Sequence, residues 1–184
     1  MSAQLGGRDT TLLLAVLAAL VGYLWLFEIR PRQVAGPAEP EAPPLLAVPT
    51  TAVARVELEE HGRRLTAVRG GAGWTDPSGR PWRASAVSDL VDTLGALRPV
   101  MVVDPQPKEP ADYGFGTAAR RLEVSASDGR SVLALELGER NPAWTGIYAR
   151  RDGRPEVMLI GGVLGWELEK LRGAAPVPEP GAEP

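Results

Sequence analysis

The chain contains no cysteine and only one histidine, His61, in 184 residues. The first absence removes disulfides, thiolate metal sites and cysteine nucleophiles together. The second makes any histidine metal site or Ser-His-Asp triad depend on a single side chain. An excess of one charge sign is also missing where it would matter. Between Thr50 and Arg172 there are 17 Lys+Arg and 17 Asp+Glu, and the overall net charge of -3 comes from acids outside that stretch. Nucleic-acid binders usually show a basic patch or stripe, so DNA and RNA are not expected partners.

One stretch lacks charge altogether. Thr11 to Phe27, TLLLAVLAALVGYLWLF, holds 17 residues without a charged side chain. As a helix it spans roughly 25 Å, near the short limit for a bilayer core. It has no polar face, unlike a core helix on a globular surface. Glu28-Ile29-Arg30 after it makes a poor signal-peptidase site. Residues 11–29 are therefore expected to be an uncleaved transmembrane anchor after a short tail, 1–10. Gly22 is the only glycine inside the run, so no GxxxG pairing motif is present. Arg8 on one side and Arg30 and Arg32 on the other leave the positive-inside rule nearly silent. An apolar segment this near the N-terminus acts as a signal anchor, which puts the domain outside the cytoplasm.

Prolines at 31, 37, 40, 43, 44 and 49 mark residues 30–49 as an extended spacer. The stretch 173–184, GAAPVPEPGAEP, reads as a disordered Pro-rich tail.

Between them, residues 50–172 carry strand and helix patterns. Val53 to Leu58 alternates as a first strand, His61-Gly62 turns, and Leu65 to Arg69 forms a second. Gly70, Gly71 and Gly73 mark a break. Val87, Leu90, Val91, Leu94 and Leu97 fall at helical spacing, with Ser85 as N-cap and Pro99 as terminator. Val100 to Val103 reads as a short strand. Arg121 to Ala126 and Val132 to Leu137 form a hairpin around Asp128-Gly129, expected as a type I′ turn. Gly146 to Arg150 and Glu156 to Ile160 form another around Asp152-Gly153. Leu164, Leu168 and Leu171 line a last helix that Gly173 ends. Strands joined by tight turns predict an α+β fold: one N-terminal transmembrane helix, then an antiparallel sheet of hairpins with two helices packed on it.

Three groups could carry chemistry. Glu57, Glu59 and Glu60 near His61 could hold a metal or form an acid-base pair, but the solvated charges of an ordinary turn are the favoured reading. Gly70-Gly71-Ala72-Gly73 lacks the following lysine and helix of a phosphate loop, so it reads as a turn. Asp89 and Asp92 lie one turn apart on a polar helix face. No catalytic residues, metal or cofactor are therefore assigned. Trp74, Trp82, Trp144 and Trp166 are a rich supply for this size. Trp74 and Trp166 are expected in the core. Trp144, in a polar loop with Asn141-Pro142, is the best candidate for a partner contact, together with Asn141 and Tyr113.

The order of these features resembles the DUF4340 family of bacterial domains. The apolar anchor, the first hairpin leading to Gly73-Trp74 and the helix around Val87 to Leu97 carry the likeness. So do Ala111-Asp112-Tyr113-Gly114-Phe115, Gly138, Ile147-Tyr148-Ala149-Arg150 and Val157-Met158-Leu159-Ile160. Phe115 stands where the family tends to have leucine. The resemblance implies a membrane-anchored accessory to an ABC transporter of the gliding-motility type. The signal anchor sets the expected location, the bacterial inner membrane with the domain in the periplasm. The expected function is thus a non-enzymatic interaction domain whose partners are the bilayer and a membrane protein complex. The alternative is a small-ligand or glycan-binding domain that stacks its ligand on tryptophans.

Overall fold

A computed structural model describes residues 7–25, 42–83, 85–116 and 119–176. The chain divides into two compact units, Met1–Glu41 and Ala42–Pro184. The expectations for residues 1–6, 26–41 and 177–184 lie outside the described residues.

In the first unit, helix α1 runs over Gly7–Leu24. It begins before Thr11, so Arg8 and Asp9 belong to its first turn. Its 18 residues span about 27 Å. Leu14, Val16, Leu17, Leu20, Val21 and Tyr23 are all exposed. No helix among the described residues is long and apolar enough to cross a membrane.

The second unit is an α+β domain. Its strands are β1 (Val53–Glu60), β2 (Arg63–Gly70), β3 (Gly73–Thr75), β4 (Pro99–Asp104), β5 (Arg120–Ala126), β6 (Ser131–Arg140), β7 (Gly146–Arg151) and β8 (Val157–Gly161). They form one eight-stranded sheet in the order β3-β2-β1-β5-β6-β7-β8-β4. Every pairing is antiparallel. Helices α2 (Ala86–Ala96) and α3 (Val163–Ala174) supply the second layer.

Period-two alternation decides which side chains meet the helices. Val56 and Leu58 of β1 stand opposite Val124 and Leu122 of β5, which face Leu133 and Leu135 of β6. These join Val87, Leu90, Val91 and Leu94 of α2 and Leu164, Leu168 and Leu171 of α3 in one buried core. Both hydrophobic helical stripes are therefore used as expected. Gly165 lets α3 approach β7, since a Cβ there would lie 2.9 Å from Ile147 Cδ1.

The halves are tied by long-range pairings. β1 adds to β5, and β4 crosses the molecule to add to β8. Each half thus contributes a meander, and β4 closes the far end.

Several local expectations change. Residues 42–49 are not spacer. Leu45 and Leu46 are buried in the core, and their N–H groups donate to the carbonyls of Leu97 (2.8 Å) and Leu94 (3.4 Å). Carbonyls at the end of a helix lack helical partners, and this strap satisfies them. The tail boundary moves too, because α3 continues through Gly173 to a buried Ala174. The glycine break opens into a short strand, β3, with Gly70 paired to Gly73. Ser85 does not cap α2 with its side chain; its hydroxyl donates to Asp89 Oδ2 at 2.9 Å.

The turn types also differ. Only Gly129 of the Asp128-Gly129 pair has positive φ, at 80°. Ala126 N–H donates to Arg130 O and Gly129 N–H to Ala126 O. This is the longer hairpin loop with glycine in the left-handed position, not type I′. The type I′ geometry belongs to His61-Gly62, where φ is 51° and 74° between the paired residues Glu60 and Arg63. Both central residues need positive φ there, which explains a glycine beside a histidine.

One carboxylate locks the turn before α2. Asp76 Oδ1 accepts from the N–H groups of Ser78 and Arg80, both 2.9 Å, and from Ser78 Oγ at 2.7 Å. Its Oδ2 takes Arg80 Nε at 2.8 Å. Burial alone pushes this carboxyl up, but the bonds from Ser78 and Arg80 outweigh it, and the pKa falls from 3.8 to about 2. A depressed pKa gives stability that is complete above the unfolded value and is lost as pH falls through the folded one. Between about pH 4 and pH 2 the unfolded chain binds the extra proton, so the wild type should lose stability there. Asp76→Asn should flatten that part of a melting-temperature profile. Parallel profiles for the two chains would contradict the assignment.

Candidate interaction surface

The β6–β7 loop is built around Asn141. Its side chain is buried, and Oδ1 accepts from the N–H groups of Thr145 (2.9 Å) and Gly146 (3.0 Å). Nδ2 donates to Thr145 Oγ1 at 3.0 Å. Thr145 O in turn accepts the N–H of Gly162, at the start of α3. A buried amide with these bonds met fixes a loop that would otherwise move. Asn141 is thus a brace rather than a contact residue.

The brace holds Trp144 outward. Trp144 is 74% exposed, and its backbone sits at φ 59°, a left-handed conformation rare for a bulky side chain. Left-handed non-glycine backbone costs of order 1–3 kcal/mol and persists only where the surroundings impose it. Arg140 lies beside the ring, with its guanidinium carbon 5.5 Å from the ring centroid. Its Nη2 also meets Glu169 Oε1 of α3 at 3.1 Å.

Trp166 stands one helical turn from Glu169. It is 62% exposed, not in the core as expected. The stripe of Leu164, Leu168 and Leu171 faces the sheet, and Trp166 falls on the opposite side of the same helix. Lys170 Nζ lies 5.2 Å from the Trp166 centroid and 2.9 Å from Asp89 Oδ2. The bond from Lys170 holds the Asp89 carboxyl below its usual range. Two indoles therefore flank the ion pairs Arg140–Glu169 and Lys170–Asp89, and Lys170 also meets Glu167 Oε2 at 3.1 Å. Trp74 does pack against the core, with Nε1 donating to Ser88 Oγ at 3.1 Å.

Tyr113 does a different job. A short 3-10 turn, Pro110–Tyr113, brings its ring edge-on to Tyr148 of β7, centroids 5.1 Å apart. Its hydroxyl donates to Asp104 Oδ2 at 3.1 Å. Gly114 follows at φ 78°, and Phe115 is buried under the Arg150 guanidinium, 4.8 Å away. The segment clamps the sheet face that carries no helix.

The remainder of that face is a charge ladder. Cross-strand register puts Arg64, Glu59, Arg121, Glu136 and Arg150 in one row of alternating sign. Arg150 Nε meets Glu136 at 2.7 Å and Arg64 Nη2 meets Glu59 at 3.2 Å. Opposite charges facing each other favour this register, though exposed pairs each contribute little.

The expected acid cluster is split by the strand. Glu57 and Glu59 lie on the ladder face. Glu60 turns to the other face, where it meets Arg172 Nε at 3.1 Å and Arg120 Nε at 3.9 Å. His61 is exposed, with Nδ1 3.9 Å from Glu60. A cavity of about 190 Å³ opens here between Leu58, Leu65, Arg63, His61 and Arg172. Among the described residues no three His, Asp or Glu side chains could hold a metal.

The DUF4340 family, described as a domain of unknown function, matches residues 74–172. The chain belongs to the DUF4340 family. The DUF4340 region runs from Trp74 in β3 to Arg172 in α3, so it contains the Tyr113 clamp, the Asn141 loop, Trp144 and Trp166. Strands β1 and β2 precede it, yet β1 completes the DUF4340 sheet by pairing with β5. No curated protein and no solved structure matches the chain.

Proposed function

We propose that this DUF4340 protein is a non-enzymatic, membrane-anchored docking domain that binds a protein partner through the Trp144–Trp166 surface. The observation that carries this reading is Trp144 itself, held outward in a left-handed backbone by a buried Asn141. A fold does not maintain that arrangement for packing, because the ring packs little. Rigid, exposed Trp beside Arg is the composition of interface hot spots.

The anchor in this reading is the segment 11–29, of which α1 holds the described part. Its apolar side chains are exposed, a surface that water disfavours and a bilayer accepts. The domain then stands on the extracytoplasmic side of the inner membrane, and the partner is a component of an ABC-type envelope transport complex. A protein partner is favoured over a glycan because Arg140 and Lys170 each sit beside an indole that a sugar would need bare.

The test is a Trp144→Gly variant of the full-length chain, expressed with a C-terminal reporter that is active only outside the cytoplasm. Glycine accepts the left-handed backbone, so stability should hold or rise by up to about 1 kcal/mol. Loss of a hot-spot tryptophan costs about 2 kcal/mol or more of binding, roughly 30-fold in affinity. The reporter should therefore stay active while the co-purifying protein disappears. Co-purification that survives the substitution would overturn the assigned surface, and a silent reporter would overturn the placement.

A further inference from the structure

We infer that strand β4 is the edge through which two copies of this chain join their sheets. β4 ends the sheet, with β8 on one side and no strand on the other among the described residues. Val100, Met101 and Val102 are 64%, 55% and 48% exposed. All three are uncovered, and Met101-Val102 is the regular step of the strand, since the pairing with β8 shifts register between Pro99 and Met101 and again between Val102 and Asp104. Such an edge offers unpaired N–H and C=O groups to another strand, and soluble proteins usually guard it with charge or proline. The opposite end of the sheet is guarded. β3 has three residues, and Pro81 bridges back onto its Thr75.

The occupant that fits is a second β4. The segment Arg98-Pro99-Val100-Met101-Val102-Val103-Asp104 is complementary to itself when laid antiparallel. With Met101 opposite Met101, Val100 faces Val102, Pro99 faces Val103 and Arg98 faces Asp104. Apolar side chains meet apolar ones, and at both ends of the joint Arg98 comes opposite Asp104, whose carboxylate also accepts from Tyr113 and from the N–H of Gln106. A slip of one residue sets Arg98 against Pro105 and loses both charge pairs. Pro99 lies at the strand terminus, where a missing N–H is tolerated. A two-fold joint of this kind uses the same edge twice, so it closes at a dimer.

The absence of cysteine makes the test direct. Met101→Cys introduces one thiol into the full-length chain, and opposed residues in an antiparallel pair lie about 4.5–5.5 Å apart between Cα atoms, within disulfide reach. Mild oxidation should give a disulfide-linked dimer in high yield. Asp128→Cys, in the exposed β5–β6 turn, should give little. Adding Val102→Lys to Met101→Cys places an unpaired charge in the joint and should lower the dimer yield about tenfold. Both positions are exposed, so unchanged tryptophan fluorescence should accompany the loss. Adding Trp144→Gly instead should leave the yield unchanged, which separates this joint from the docking surface. Three results would each overturn the inference. They are a Met101→Cys dimer yield no greater than that of Asp128→Cys, indifference to Val102→Lys, and a Met101→Cys thiol that links only to a different protein.

Discussion

Gly138→Ala should destabilise the domain by about 3 kcal/mol, near the top of the usual range for overpacking. A Cβ on Gly138 would overlap the Tyr113 carbonyl oxygen and approach Phe115 Cε1 to 3.2 Å. Neither neighbour can yield cheaply. Tyr113 is held by Tyr148 and Asp104, and Phe115 is buried under Arg150. Gly114 is equally committed, because a Cβ there would strike the Glu139 backbone N at 2.6 Å. The clamp and β6 thus touch backbone to backbone, and only glycine permits it. The melting temperature of the full-length chain should fall by about 10 °C. A fall below about 2 °C would mean that the clamp lifts freely and does not secure the open face.

Leu45→Ala should cost about 3 kcal/mol, a typical loss for a fully buried leucine. The side chain has 0% exposure, its N–H is bonded to Leu97 O, and its carbonyl accepts Arg151 Nη2 at 3.2 Å. The strap therefore closes the end of α2 and reaches β7 at once. The apolar pair Leu45-Leu46 seats it, with Val48 packed against the same core. A spacer would show no such penalty, so urea unfolding of wild type and variant separates the two readings. Unchanged midpoints would return residues 42–49 to the linker.

Much of the domain is legible in the sequence because its contacts are local. The hairpins at His61-Gly62, Asp128-Gly129 and Asp152-Gly153 announce themselves by alternation and turn residues. The α2 and α3 stripes follow from helical spacing alone. The pairing of β1 with β5 and of β4 with β8 is not legible, because no local pattern encodes a partner far along the chain. The role of Leu45-Leu46 is hidden by the neighbouring prolines, whose stiffness suits a spacer and a strap equally.

The interaction surface is legible only in part. Trp144 stands out as an aromatic in a polar loop. Asn141 reads as a surface residue because its burial depends on a loop closing over it. Residue type alone puts Trp166 in the core, although its offset from the leucine stripe turns it outward. Arg140 gives no signal, since its position beside Trp144 depends on Glu169 from a distant helix.

The most direct measurement is site-specific photocrosslinking in the native cell, with a photoreactive residue at Trp144, at Trp166 or at Asp128. The expected result is one and the same protein captured from positions 144 and 166 and absent from 128. Capture of nothing beyond the background seen at 128 would contradict a docking role for this surface.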